Sequence, residues 1–364
     1  MTIAVAVGTK KGLWLARSRA AGEWSVQGPR LAMREVPALA FLPSPASEVP
    51  RLLAGVRSEH WGPTVANSPD LGETWEETEQ AAIRFPAEDR AALERIWQIQ
   101  PDPARPDVVW AGCEPTSLWR STDAGRSFTL VRGLWDHPHR ERWQPGAGGA
   151  AVHTVVTDPA DPDRVLVAMS TGGVYATEDG GDTWQPRNAG ISAGFLPDPE
   201  PVFGQCVHKV AADAIGPQRL YAQNHGGVYR SDDAAMHWVS IAAGLPADFG
   251  FTVLADPDRP GTACVIPLVS DGYRMPPDGR LRVHRTEDGG ESWKEVGAGL
   301  PDRFWNAVLR DAACVLSPAP GQPSFLVLGT RDGCVYASAD EGDSMVQVAA
   351  HLPDVLCVRA AVLP

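Results

Sequence analysis

No apolar run in the chain approaches the ~20 residues that a membrane-spanning helix requires. Basic runs are missing too: Lys and Arg total 32 against 45 Asp and Glu, for a formal charge of −13. Nucleic acid and anionic membrane are poor partners for such a surface. The six cysteines, at 113, 206, 264, 314, 334 and 357, follow no metal-site or disulfide spacing and sit inside strand-like segments, so they read as reduced core thiols. Helical periodicity is almost absent, with AEDRAALERIW (87–97) the one candidate. Only five tyrosines occur, which limits any chemistry that needs a phenol. A strand pattern begins within two residues of the start and leaves no room for a signal peptide, so the expected compartment is the cytoplasm.

Repetition is what the sequence does have. TEDGGDTW (177–184) returns as TEDGGESW (286–293). Looser copies are SPDLGETW (68–75), STDAGRSF (121–128), SDDAAMHW (231–238) and SADEGDSM (338–345), and AAGEW ends a weaker one at Trp24. Successive copies end 51 to 56 residues apart, the period of an array built from one supersecondary unit. The clearest unit, residues 152–188, contains VHTVV, RVLVAMS, GVYAT and TWQPR separated by DPADPD, GG and DGG. These are four strands with turn punctuation. Seven such units fill the chain, and the expected fold is all-β, a single seven-bladed propeller over 1–364. The opening TIAVAVGT lacks a first strand and the closing DVLCVRAAVLP supplies one, so the C-terminal strand should complete the N-terminal blade and leave no free edge.

The pattern S/T-x-D-x-G-x-T/S-W resembles the Asp-box, or BNR, repeat of sialidases and related propellers. As a turn between third and fourth strands, its Asp and hydroxyl can hold backbone N–H groups and its Trp can pack between sheets. Residues repeated in every unit are framework, so Asp179 and Asp288 are not expected to be catalytic.

The working residues should be those that vary at equivalent positions. Three long insertions, 77–90, 133–149 and 190–205, fall on the face away from the repeated turns, and such loops are usually functional. His-Pro-His 137–139 within the second reads as a surface turn. On the same face, Thr9, Glu114, Ser170, Asn224 and Arg331 end second strands, whereas Trp97, His153, His208 and Phe251 begin first strands. A pocket of Glu114, His153, His208, Asn224, His225 and Arg331 follows, with Arg57, Glu59, His60 and Trp61 from the second blade.

Resemblance to sialidases implies three arginines gripping a carboxylate, a tyrosine nucleophile activated by a glutamate, and an aspartate acid/base. Only Tyr273 lies outside the framework tyrosines, and Glu114 could activate it, with Arg57, Arg95, Arg142 and Arg331 as anion binders. The family's F/Y-R-I-P string has its nearest match in YRMP (273–276), in the sixth blade, and the first blade carries GTKKG instead. Three readings stay open. One is an enzyme or binding protein for a small anionic or sugar-like molecule, glycosidase-like if a hydrolase. The others are a non-catalytic protein-interaction scaffold and a sialidase proper. No cofactor is expected, since no close ligand spacing marks a metal, although His153, His208 and His60 or His225 could converge on one.

Overall fold

Val-, Leu- and Ala-rich segments two to nine residues long pair antiparallel into seven sheets of an all-β, seven-bladed propeller. The structure, a computed structural model, describes residues 2–18, 23–44, 47–58, 62–76, 81–146, 149–170 and 172–364. They group into two compact units, one holding most of the first half and the other running from Pro186 to Val358.

In the first unit, β1 (Thr2–Thr9), β2 (Gly12–Ser18) and β3 (Trp24–Arg30) form a sheet that a C-terminal strand completes beside β1. A second sheet has β4 (Glu35–Leu42), β5 (Arg51–Ser58) and β6 (Gly62–Ser68); residues 77–80, where the first insertion begins, lie outside the described residues. The third consists of β7 (Arg95–Pro101), β8 (Val109–Glu114), β9 (Ser117–Ser121) and β10 (Thr129–Leu130), followed by a one-turn helix α1 (Arg132–Trp135). The fourth contains β11 (Val152–Thr157), β12 (Val165–Met169), β13 (Gly173–Thr177) and β14 (Gln185–Pro186).

In the second unit, the fifth sheet is β15 (Val207–Asp213), β16 (Gly216–Asn224), β17 (Gly227–Ser231) and β18 (Val239–Ser240). The sixth is β19 (Val253–Ala255), β20 (Ala263–Val265), β21 (Val283–Thr286) and β22 (Lys294–Val296). The seventh is β23 (Ala313–Leu316), β24 (Phe325–Gly329), β25 (Val335–Ser338) and β26 (Val346–Ala349). The last strand, β27 (Val355–Leu363), lies beside β1, which meets the expectation for the N-terminal blade.

β12 and β24, each second in its sheet, are buried at every residue. Between the second and third sheets Leu53, Ile96, Val109 and Trp119 share one core, joined from the loop side by Phe85, whose ring stands 4.8 Å from those of Trp119 and Trp135. Tyr221, Val253 and Val265 do the same between the fifth and sixth, with the half-buried Trp293 against them.

The repeated turn is closed on its aspartate in good and decayed copies alike. In residues 177–184 the Thr177 hydroxyl donates to Asp179 Oδ1 at 2.6 Å and accepts from Gly181 N–H; Asp179 also accepts Thr183 N–H and hydroxyl at 2.9 and 2.5 Å. These bonds, the Thr177 hydroxyl foremost, hold the Asp179 carboxyl far below its usual range. In SDDAAMHW the lost hydroxyl is replaced by His237 Nδ1, 2.9 Å from Asp233 Oδ2, and Ala234 and Ala235 take the positive φ (57° and 68°) that glycine adopts more readily. Every oxygen of the aspartate is committed to the turn, so the turn is framework. Trp184 is buried, and Trp238 and Trp293 donate to the carbonyls of Arg187 and Ile241 in the preceding blade.

Two expectations change. Residues 87–97 are not a helix: only Ala87–Asp89 turn, Arg90 enters the left-handed region at φ 48°, and Arg95–Trp97 are already in β7. The apolar residues there pack on the inter-sheet core that Phe85 joins, Ile96 within it and the half-buried Ala91 and Leu93 against it. His137 and His139 are not a surface turn either. His139 Nδ1 lies 2.9 Å from Tyr175 Oη, His137 stacks 5.9 Å from Trp143, and the Trp143 indole donates to the same phenol at 3.0 Å. The insertion thus folds back to cap the fourth blade. Burial raises the Tyr175 hydroxyl and lowers both imidazoles, which suits a neutral network.

Candidate functional site

Four first strands carry an extra residue, that of β4 between Glu35 and Ala38, and in three of them it is an indole or an imidazole side chain. β7 slips against β8 between Ile96 and Gln98, β11 against β12 between Val152 and Thr154, and β15 against β16 between Val207 and Lys209. The extra residues of these three are Trp97, His153 and His208. A bulge breaks the in–out alternation and re-aims the side chain it carries. The bulge is a demand of the fold; Trp at one and His at the others is not.

In the first unit the Trp97 indole donates to Glu114 Oε2 at 3.0 Å. Arg95, which pairs with Glu114 across the β7–β8 ladder, lays its guanidinium 4.5 Å from the Trp97 ring centre and binds Glu35 Oε1 at 2.6 Å. Behind Glu114 the chain approaches so closely that a side chain on Gly149 (φ 103°) would begin 2.1 Å from Glu114 Oε1. Partial burial raises the Glu114 carboxyl above its ordinary range and the nearby Glu94 charge adds to this; the Trp97 bond, Arg95 and Arg57 oppose it. The group is a carboxylic acid poised to hold its proton longer than usual beside an aromatic ring. Arg57, one residue before the end of β5, pairs with Glu35 and is exposed. His153 is buried, with Nδ1 3.3 Å from the Thr154 hydroxyl. His60, with Glu59 and Trp61, lies outside the described residues.

In the second unit His208 and His225 come together, ring centres 5.8 Å apart, with Phe249 and Phe251 packed edge-on or tilted against His208. His208 Nδ1 is 2.5 Å from the Gly250 carbonyl. Burial and then the Arg310 charge push its imidazole down to about 3, so it is neutral at physiological pH. Asn224 is buried and structural: its amide donates to the Ser192 carbonyl at 2.9 Å, anchoring the 190–205 insertion. Tyr273 is 76% exposed on the loop after residue 269, and Arg331 is tied to Asp354 at 2.9 Å. Neither is gathered with the histidines by a contact in the described residues.

Sequence reasoning missed several members of these clusters. Cys206, two residues before His208, was grouped with the core thiols. Phe195, Phe249 and Asp271 carry no repeat signal, and Glu35 was hidden because its partner Arg95 lies 60 positions away. A cleft of about 500 Å³ along β22 was also unforeseen; it is lined by Arg280, Arg282, Lys294, Glu295, Asp302 and Asp343. Its charges satisfy one another, Arg280 with Glu295 at 3.1 Å and Arg282 with Asp302 at 3.6 Å, which leaves little for a ligand to gain.

No family model matches the chain. Among curated proteins it is similar to an oligoxyloglucan-reducing end-specific xyloglucanase of Emericella nidulans, 26% identical over an alignment of 259 residues that covers 58% of this chain and 29% of that enzyme. The chain therefore spans under a third of the length of this relative. Among solved structures it is similar to a GH74 enzyme of Niastella koreensis (15% identity, TM-score 0.53, 96% of this chain and 67% of that one). A proposed 6-phosphogluconolactonase of Bacteroides uniformis is also similar (12% identity, TM-score 0.58, 99% of both chains). The structural likenesses establish the propeller fold, and in sequence the chain is similar to glycoside hydrolases acting on xyloglucan rather than to sialidases.

Proposed function

We propose that this protein binds carbohydrate at the Trp97–Glu114 end of the third blade and acts there as a glycoside-hydrolase-like enzyme. The observation that carries the reading is the 3.0 Å bond from an indole at a bulge to a carboxyl with a raised pKa. Aromatic rings offer sugars an apolar face, and a carboxyl whose pKa is raised above its ordinary range is better suited than a free one to protonate a glycosidic oxygen. Glu114 is the proton donor in this account. Glu94, exposed and joined to the Glu114 carbonyl through its own N–H at 2.8 Å, is the second carboxylate such chemistry requires. Arg95 fixes the ring, and Arg57 sets the local charge. The sequence similarity to xyloglucanases supports a β-glucan-type oligosaccharide as substrate.

The test is a panel of xyloglucan, cellulose and sialyl oligosaccharides, assayed for binding by calorimetry and for new reducing ends. Binding of a glucan that Trp97→Ala abolishes, and turnover that Glu114→Gln abolishes with binding intact, are expected. Binding that survives Trp97→Ala would overturn the site assignment.

A second reading, a protein-interaction scaffold, has its own observation. Phe195, Val269, Tyr273 and Trp305 of the second unit are large apolar side chains 49 to 76% exposed. If the panel finds no glycan and a pulled-down protein is released by Tyr273→Ser, this reading replaces the first.

A further inference from the structure

Cys206, His208 and His225 come from three segments of one blade: the end of the 190–205 insertion, the bulge of β15 and the turn between β16 and β17. Their ligand atoms, one sulfur and two ring nitrogens, all lie within 4.8 Å of one another. The backbone bond from His225 N–H to the Cys206 carbonyl at 2.9 Å ties the first and third segments, so the grouping is built into the sheet end.

We propose that Cys206, His208 and His225 bind a borderline-soft divalent cation, with zinc as the matching ion. The donor set selects it: a thiolate with two imidazoles suits zinc and is foreign to magnesium or calcium, which take oxygen ligands. The tautomer is set for it as well. A carbonyl only accepts, so the His208–Gly250 bond requires the proton on Nδ1 and leaves the lone pair on Nε2. That outer bond to a carbonyl is how metal-bound histidines are oriented. Phe195 packs 5.5 Å from His225, and the buried Phe249 and Phe251 pack 5.5 and 5.3 Å from His208, which screens the His208 side of the group from water. Three protein ligands leave a fourth position, and the Asp271 carboxylate, 3.7 Å from His225 Nε2, can fill it or hold a water there. Binding contracts the three donors to roughly 2.0–2.3 Å from the ion and locks the insertion onto the fifth blade.

The experiment is a cobalt(II) titration of the purified, chelator-treated full chain, followed by zinc displacement. About one cobalt per chain with a thiolate charge-transfer band in the near ultraviolet is expected, the band bleaching when zinc is added. Cys206→Ser should remove the band, and His225→Ala should weaken binding at least tenfold. His225 is partly exposed, so His225→Ala is the variant expected to keep native circular dichroism; it decides the matter if the cysteine variant does not fold. A chain that shows no band, or a folded His225→Ala variant with unchanged affinity, overturns the proposal.

Discussion

Trp97 and Glu114 meet across 3.0 Å because one is the extra residue of a bulge and the other ends the neighbouring strand. Position comes from the blade, whereas chemistry comes from the two residue types. Raising the Glu114 pKa has a definite sign for stability. A carboxyl whose folded pKa lies above its unfolded one contributes stability at acid pH, and this is lost as pH rises through the folded value. Glu114→Gln should therefore be more stable than the parent at pH 8 and gain little at pH 4. The gain should be under about 1 kcal/mol, since the group is half exposed and screened. Denaturant melts at both pH values check it; an equal effect at both would contradict the shift.

His208 carries the opposite dependence. Its folded imidazole titrates at about 3, far below the ordinary value of 6.5. Between those values the unfolded chain takes a proton that the folded chain refuses, so stability falls as pH falls from about 6.5 toward 3. His208→Asn, which keeps a donor for Gly250, should narrow the gap to wild type as pH drops from 7 to 4.5, by on the order of 1–3 kcal/mol. Parallel stability curves for the two proteins would show that His208 is not the group responsible.

Trp184 is 2% exposed and repeats at blade spacing. Trp184→Ala should cost roughly 3–5 kcal/mol, the range for a large buried aromatic. Urea unfolding measures this directly. A midpoint close to wild type would remove the ring from the inter-blade core.

β27 lies beside β1. Removing residues 356–364 exposes that strand as a free edge. The shortened chain is expected in the insoluble fraction or as an aggregate by size-exclusion chromatography. A monomer with native circular dichroism would mean that the first sheet stands without its inner strand.

The fold was legible because its signals are local and repeated. Copies of one turn, each closed by the same aspartate bonds, announce the blade whatever lies between them. The site was legible only where the repeat exposes a difference, as Trp97, His153 and His208 do at one bulge. Phe249 escaped notice because its imidazole neighbour lies far off in sequence, and Cys206 because nothing in a strand pattern distinguishes a core thiol from one beside two imidazoles. His137 and His139 misled for the same reason, since their partner Tyr175 stands in the next blade. At 87–97 the helical spacing proved to be a short turn, a connecting loop and the start of β7, where tertiary packing overrides local periodicity.

The central claim is that sugar docks on Trp97 with Glu114 at the glycosidic oxygen. A crystal structure of Glu114→Gln soaked with a xyloglucan oligosaccharide tests it most directly. The account predicts a sugar ring stacked on the Trp97 indole and a glycosidic oxygen within hydrogen-bond reach, about 2.6–3.2 Å, of the substituted amide at position 114. A well-ordered oligosaccharide bound elsewhere, with Trp97 and position 114 untouched, would contradict it.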